Sequence, residues 1–239
     1  FTKDETPRLS GKVAPRILLH TNTHQTLYLV AENGKAAALP VHAVPESDKI
    51  TEGIALNKAT PFSETERIIA GFALPVNWEG PGLYVLTVSR LGLVKKTDIA
   101  ELPGASAQLF NLVRVNQGDA LISAGITNGM TDVYLFTSDG FGIRFSEEEI
   151  RPMGLIAAGV AGIKLNPQAE VISAAALLEA AEFLLLSSQG AGWRMTSEDF
   201  PLQGRYGQGV VAAKLKTGEK LIGLLAGKKN ASGIALFKK

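Results

Sequence analysis

Apolar residues in this chain fall into short runs, separated by glycine, asparagine or acidic residues. The stretch VYLFTSDGFGIRFSEEEIRPMG, which begins at Val133, shows the pattern: an apolar run, a turn, a second apolar run carrying an arginine, an acidic group and another turn. Runs this short, bounded by turn residues, predict strands. The same arrangement recurs as LYLVAENGKAAALPVHAVPES at 27–47, LYVLTVSRLGLVKKTDIAELPG at 83–104 and EFLLLSSQGAGWRMTSEDFPLQG at 182–204.

Two landmarks measure the repeat. The turn glycines Gly34, Gly92, Gly140 and Gly190 are spaced by 58, 48 and 50 residues. The isoleucines Ile69, Ile122, Ile172 and Ile222, in a shorter upstream strand, are spaced by 53, 50 and 50. Each unit holds four short strand-like segments. In one unit they are GVAGIKL (159–165), EVISAA (170–175), EFLLLSS (182–188) and AGWRMT (191–196). Four strands per period of about fifty is the arithmetic of a propeller, whose blades must stack to bury their faces.

Local propensity objects at SAAALLEAAEFLLL, which is rich in helix formers. The repeat places strand, turn and strand there, and strand formation follows tertiary context. The expected fold is all-β: a single domain over 1–239 of about five four-stranded blades, with units near 14–50, 51–108, 109–158, 159–208 and 209–239. The end units are ragged. APRILLH (14–20) matches the second strand of a unit and ASGIALF (231–237) the third. Strands from both termini can close a five-bladed ring, and a six-bladed parent with a trimmed end is the alternative.

Composition narrows the function. The 239 residues are 46% apolar, enough for a core, and 24 basic residues nearly balance 23 acidic ones. The distribution is uneven: residues 161–239 carry 10 basic and 6 acidic side chains, against 14 and 17 before them. There is no cysteine, so disulfides and thiolate chemistry are excluded. No signal-peptide pattern opens the chain. Glu179 and Glu182 interrupt the most apolar window, so no run reaches membrane-spanning length. The expectation is a soluble, cytoplasmic protein.

Basic residues recur in phase with the repeat. Lys96, Arg144 and Arg194 stand four positions after a turn glycine, and Ala38 breaks that series. Arg114, Lys164 and Lys214 stand eight positions before the second-strand isoleucine, with Lys58 at eleven in the first unit. In GVAGIKL, alternation puts Ile163 and Leu165 on one face and Lys164 on the other. The cation is therefore expected to face outward on every blade. Outward lysines can simply keep a sheet edge soluble, or they can form a track for a polyanion.

These residues resemble a known family. VLTVSRLGLVKKTDIAEL, VYLFTSDGFGIRFSEEEIRPMGLIAAGVAGIKL and LLLSSQGAGWRMTSEDFPLQGRYGQGVVAAKL look like successive blades of the C-terminal domain of the DNA gyrase A subunit. The equivalent domain of topoisomerase IV is the close alternative. The likeness covers roughly 14–237, and its specific motif is IRFSEEEIRPMG followed by GVAGIKL.

The resemblance implies a β-pinwheel whose blades exchange strands, with duplex DNA bent without sequence preference around a basic outer edge. In gyrase such wrapping sets the handedness of strand passage. It also implies no catalytic residue and no cofactor here: DNA cleavage belongs to a tyrosine in a separate upstream domain, and ATP hydrolysis to the gyrase B subunit. The implied DNA-binding residues are the phased Lys96, Arg114, Arg144, Lys164, Arg194 and Lys214, their neighbours Lys95, Arg151 and Lys216, and Gln203 with Arg205.

The last two belong to QGRYGQG (203–209), the nearest match to the family's wrapping motif Gln-Arg-Arg-Gly-Gly-Lys-Gly. Gly204, Tyr206 and Gln208 replace an arginine, a glycine and the lysine. Its glycines at 204, 207 and 209 allow close approach to a phosphate, and the alternative is a tight turn with Arg205 solvated. Leu155 stands where the family usually has an arginine.

Other constellations carry less. His20 and His24 lack a third ligand for a metal. Glu147–Glu149 read as a solvated turn. Tyr28, Tyr84 and Tyr134 occupy strand positions, Tyr206 a glycine-rich loop, and Trp193 a packing position. No GxxxxGK phosphate loop appears. A protein-binding propeller is the alternative function; an enzyme lacks any convergent acid, base or metal set.

Overall fold

The computed structural model describes residues 17–47, 53–78 and 80–228. In chain order the elements are β1 (Gln25–Ala31), β2 (Lys35–Pro40), the one-turn helix α1 (Leu56–Ala59) and β3 (Ile68–Pro75). Next come β4 (Tyr84–Ser89), β5 (Leu93–Asp98), β6 (Phe110–Asn111) and β7 (Leu121–Thr127). They are followed by β8 (Asp132–Thr137), β9 (Phe141–Ser146), β10 (Val160–Ala161) and β11 (Val171–Leu177), then β12 (Glu182–Ser187), β13 (Gly192–Thr196), β14 (Val210–Val211) and β15 (Leu221–Gly227).

Among the described residues the strands form four antiparallel sheets, ordered β3-β1-β2-β6, β10-β5-β4-β7, β11-β8-β9-β14 and β13-β12-β15. Each is built on a hairpin whose turn glycine has positive φ, between +81° and +91°. At Gly140 an added Cβ would lie 2.4 Å from the Ala213 carbonyl oxygen, so both the backbone angle and a crossing chain demand glycine. The crossing chain is the exchanged strand. β6, β10 and β14 each leave their own unit to pair with the preceding hairpin, as in Val160↔Val94 and Val210↔Gly142. This exchange makes the fold a β-pinwheel.

The apolar cores lie between successive sheets. Val133 and Leu135 of β8 pack with Leu86 and Val88, while Tyr134 and Phe136 pack with Phe183 and Leu185. A strand buried on both faces reads as an unbroken apolar run, which is why VYLF does not alternate. The last described sheet shows the converse: Phe183 and Leu185 are buried, but Leu184 between them is 38% exposed.

The stretch with helical propensity is strand, turn and strand. β11 pairs with β8, and β12 lies between β13 and β15, so sheet pairing overrides local preference. Two expectations are corrected. Residues 17–20 of APRILLH are not a strand, and the segment carrying Lys58 is the helix α1 instead of an exchanged strand. ASGIALF lies outside the described residues.

Candidate functional site

Each exchanged strand is followed by two buried residues and then a cation: Leu112, Val113 and Arg114; Gly162, Ile163 and Lys164; Ala212, Ala213 and Lys214. All three cations are exposed. Their side chains make no hydrogen bond or ion pair among the described residues. Arg114 and Lys164 sit at seams where one unit meets the next. The Arg114 amide donates to the Ala157 carbonyl at 3.1 Å, and the Lys164 amide donates to the Gly207 carbonyl at 2.9 Å. Arg151 and Lys216 are exposed as well.

The other phased series behaves differently. Lys96, Arg144 and Arg194 are each held by the residue twelve positions upstream, their diagonal neighbour across the hairpin. Lys96 lies over the Tyr84 ring at 5.1 Å. Arg144 Nε donates to Asp132 at 2.8 Å. Arg194 Nη2 forks onto both Glu182 oxygens at 2.7 and 2.8 Å. Lys96 is buried, with Nζ donating to the Glu147 carbonyl at 3.1 Å. The expectation of an outward cation on every blade therefore fails for Lys96, because the facing sheet covers that strand.

Lys95, expected beside it among the DNA-binding residues, is also buried, at 1% exposed. Its Nζ donates to the Leu112 carbonyl at 2.7 Å and the Leu155 carbonyl at 3.1 Å, bridging the exchanged segment to the following loop. Burial pulls its pKa down to about 8, with Glu101 opposing the shift. Glu147 corrects the reading of a solvated acidic turn. It is fully buried, accepts from Thr127 Oγ1 at 2.5 Å and from the Thr131 hydroxyl, and so ties β7 to the hairpin after it. Glu148 and Glu149 stay exposed.

Known proteins bear on this geometry. A family described as DNA gyrase C-terminal domain, beta-propeller, matches residues 83–128, 131–177 and 181–228. The chain belongs to this family. The DNA gyrase A subunit of Klebsiella oxytoca is 35% identical over 171 residues, a match covering 68% of this chain and 19% of that protein. The chain thus spans about a fifth of the length of the curated relatives it matches. Among solved structures, a C-terminal domain of DNA topoisomerase IV superposes with TM-score 0.79 at 25% identity, covering 87% of this chain and 65% of that one. The E. coli ParC C-terminal domain superposes with TM-score 0.73 at 11% identity, covering 95% and 92%, which shows the fold alone.

The QGRYGQG loop is hydrogen-bonded into a seam. The Gln203 amide donates to the Arg144 carbonyl at 3.0 Å, and the Arg205 amide to Glu149 at 2.8 Å. Arg205 Nη1 donates to the Ala161 carbonyl at 2.9 Å, so its guanidinium is half-buried and anchored at one nitrogen instead of fully solvated. Gln208 Nε2 donates to Asn166 at 3.0 Å. Gly209, at φ +79°, lies against the Gly142 carbonyl, where a Cβ would come within 2.4 Å, and Gly204 faces open space. Glycine at 209 thus serves chain packing.

Sequence reasoning missed the clamping role of Lys95 and Glu147, since their types suggest exposure. It also missed the partners twelve positions upstream. Tyr84, Asp132 and Glu182 were legible as an in-phase series.

Proposed function

We propose that this domain binds duplex DNA along the rim defined by Arg114, Lys164 and Lys214, without sequence preference, and bends it. The observation that supports this is a set of three exposed cations in one register, unpaired among the described residues, on a chain of the gyrase C-terminal family. Cations without protein partners are free to take phosphates, and equivalent placement after successive exchanged strands suits a repeating backbone. The domain would serve as a noncatalytic part of an ATP-dependent type IIA topoisomerase in the cytoplasm. Its partners there would be the gyrase B subunit, together with the rest of the gyrase A chain. It would position DNA for strand passage as one unit over residues 1–239.

A gel-shift titration with random-sequence duplex at several salt concentrations tests it. These three cations give a slope of log K against log salt of about −2.7, and Arg151 with Lys216 would bring it to about −4.5, at 0.9 per phosphate. Binding that ignores salt would count against the rim.

A further inference from the structure

Two large apolar side chains stand beside the seam cations. Ile156 is 82% exposed and Tyr206 is 57% exposed. They occupy equivalent places fifty residues apart, in the loops at 153–159 and 203–209. Tyr206 is tied next to Lys164. Its amide donates to the Gly162 carbonyl at 2.9 Å, and Lys164 donates back to the carbonyl of Gly207. Ile156 directly precedes Ala157, whose carbonyl holds Arg114.

Stability gives no reason for the ring. Tyr206 has φ +69°, a left-handed conformation that glycine adopts freely and a tyrosine adopts only under strain. Its side chain has no hydrogen-bond or ring partner among the described residues. Yet the loop beneath it is fixed at Gln203, Arg205 and Gln208. A strained, hydrogen-bonded backbone thus presents an aromatic ring to solvent, one residue from the carbonyl that seats the Lys164 amide. Strain of this kind is retained where it presents a group for function.

The geometry points to Tyr206 and Ile156 as apolar tips that press into the minor groove of the bound duplex and set its bend, while Lys164 and Arg114 hold the flanking phosphates. This rests on the DNA-binding reading above. The minor groove is only about 6 Å wide between its phosphate rows. A tip beside a phosphate-bound cation therefore reaches the sugars that line the groove, and apolar side chains placed there bend DNA.

The test measures end-to-end energy transfer in a short doubly labelled duplex bound by the 239-residue chain. The variants are Tyr206→Gly, Tyr206→Phe and Ile156→Ala. Glycine relieves the φ strain, so Tyr206→Gly is expected to fold. It should reduce the bend while weakening binding less than about threefold and leaving the salt slope unchanged, because no phosphate contact is lost. Phenylalanine should keep the bend, and Ile156→Ala should reduce it. Saturating an A·T-rich duplex with netropsin should lower the bend in the parent protein and have little further effect in Tyr206→Gly. An unchanged bend in both Tyr206→Gly and Ile156→Ala, with DNA still bound, overturns the inference and leaves the rim intact. Failure of the parent chain to bind any duplex overturns the underlying reading and this inference with it.

Discussion

Two successive seams of this pinwheel solve one problem with cations placed in opposite elements. At the first, where Arg114 meets Ala157, the loop carries Leu155 and the pin is Lys95, reaching from inside β5 to the Leu112 and Leu155 carbonyls. At the second, where Lys164 meets Gly207, the loop carries Arg205, which reaches the Ala161 carbonyl itself, and the strand position equivalent to Lys95 is the buried Ile143. A seam needs a donor because the exchanged strand is only two residues long and leaves carbonyls at its end or just beyond it to be paired from elsewhere. Either side can supply that donor. The absence of an arginine at 155 is therefore a relocation of charge.

The relocation has a physical consequence. Lys95 is fully enclosed, whereas Arg205 is half-buried, so the first seam is the more sensitive. Lys95→Met should cost about 1–3 kcal/mol in urea unfolding, since the buried Leu112 carbonyl and the partly buried Leu155 carbonyl lose their donor. Arg205→Met should cost less, about 0.5–1.5 kcal/mol, because one hydrogen bond goes and the site is partly wet. If Arg205→Met proves the costlier change, the ranking of the seams is wrong.

Moving the second arrangement into the first sharpens the comparison further. Adding Leu155→Arg to Lys95→Ile should recover about 1 kcal/mol relative to Lys95→Ile alone, read by the same unfolding curves. No recovery would mean that the loop at 153–159 cannot aim a guanidinium at the seam.

The two pins also differ in titration. Lys95 loses its proton near pH 8 when folded and near 10.5 when unfolded. Over that interval the unfolded chain holds more protons, so this group makes stability rise with pH. The slope should vanish in Lys95→Met. Arg205→Met should leave it intact, as an arginine does not titrate there.

The smallest expected difference is in DNA binding. Arg114→Ala and Lys164→Ala should each lower the magnitude of the salt slope by about 0.9, whichever pin lies beneath. Unequal losses would show that the pin affects the exposed cation above it.

Sequence alone determined the repeat, the hairpins, the strand identity of SAAALLEAAEFLLL and the two phased series of cations. Those features are periodic, and turn glycines and apolar runs record them residue by residue. It could not separate the series. Lys96, Arg144 and Arg194 look as free as Arg114, Lys164 and Lys214 until the hairpin brings Tyr84, Asp132 and Glu182 across to the first three. Nor could it place Lys95 or Glu147 inside, since those side chains are buried only when the next sheet closes over them and carbonyls or threonine hydroxyls compensate their charge. Burial and pairing are properties of two chain segments meeting. The pinwheel makes those meetings by sending β6, β10 and β14 back to the preceding blade, so the tertiary structure decided which cations became pins and which stayed on the rim.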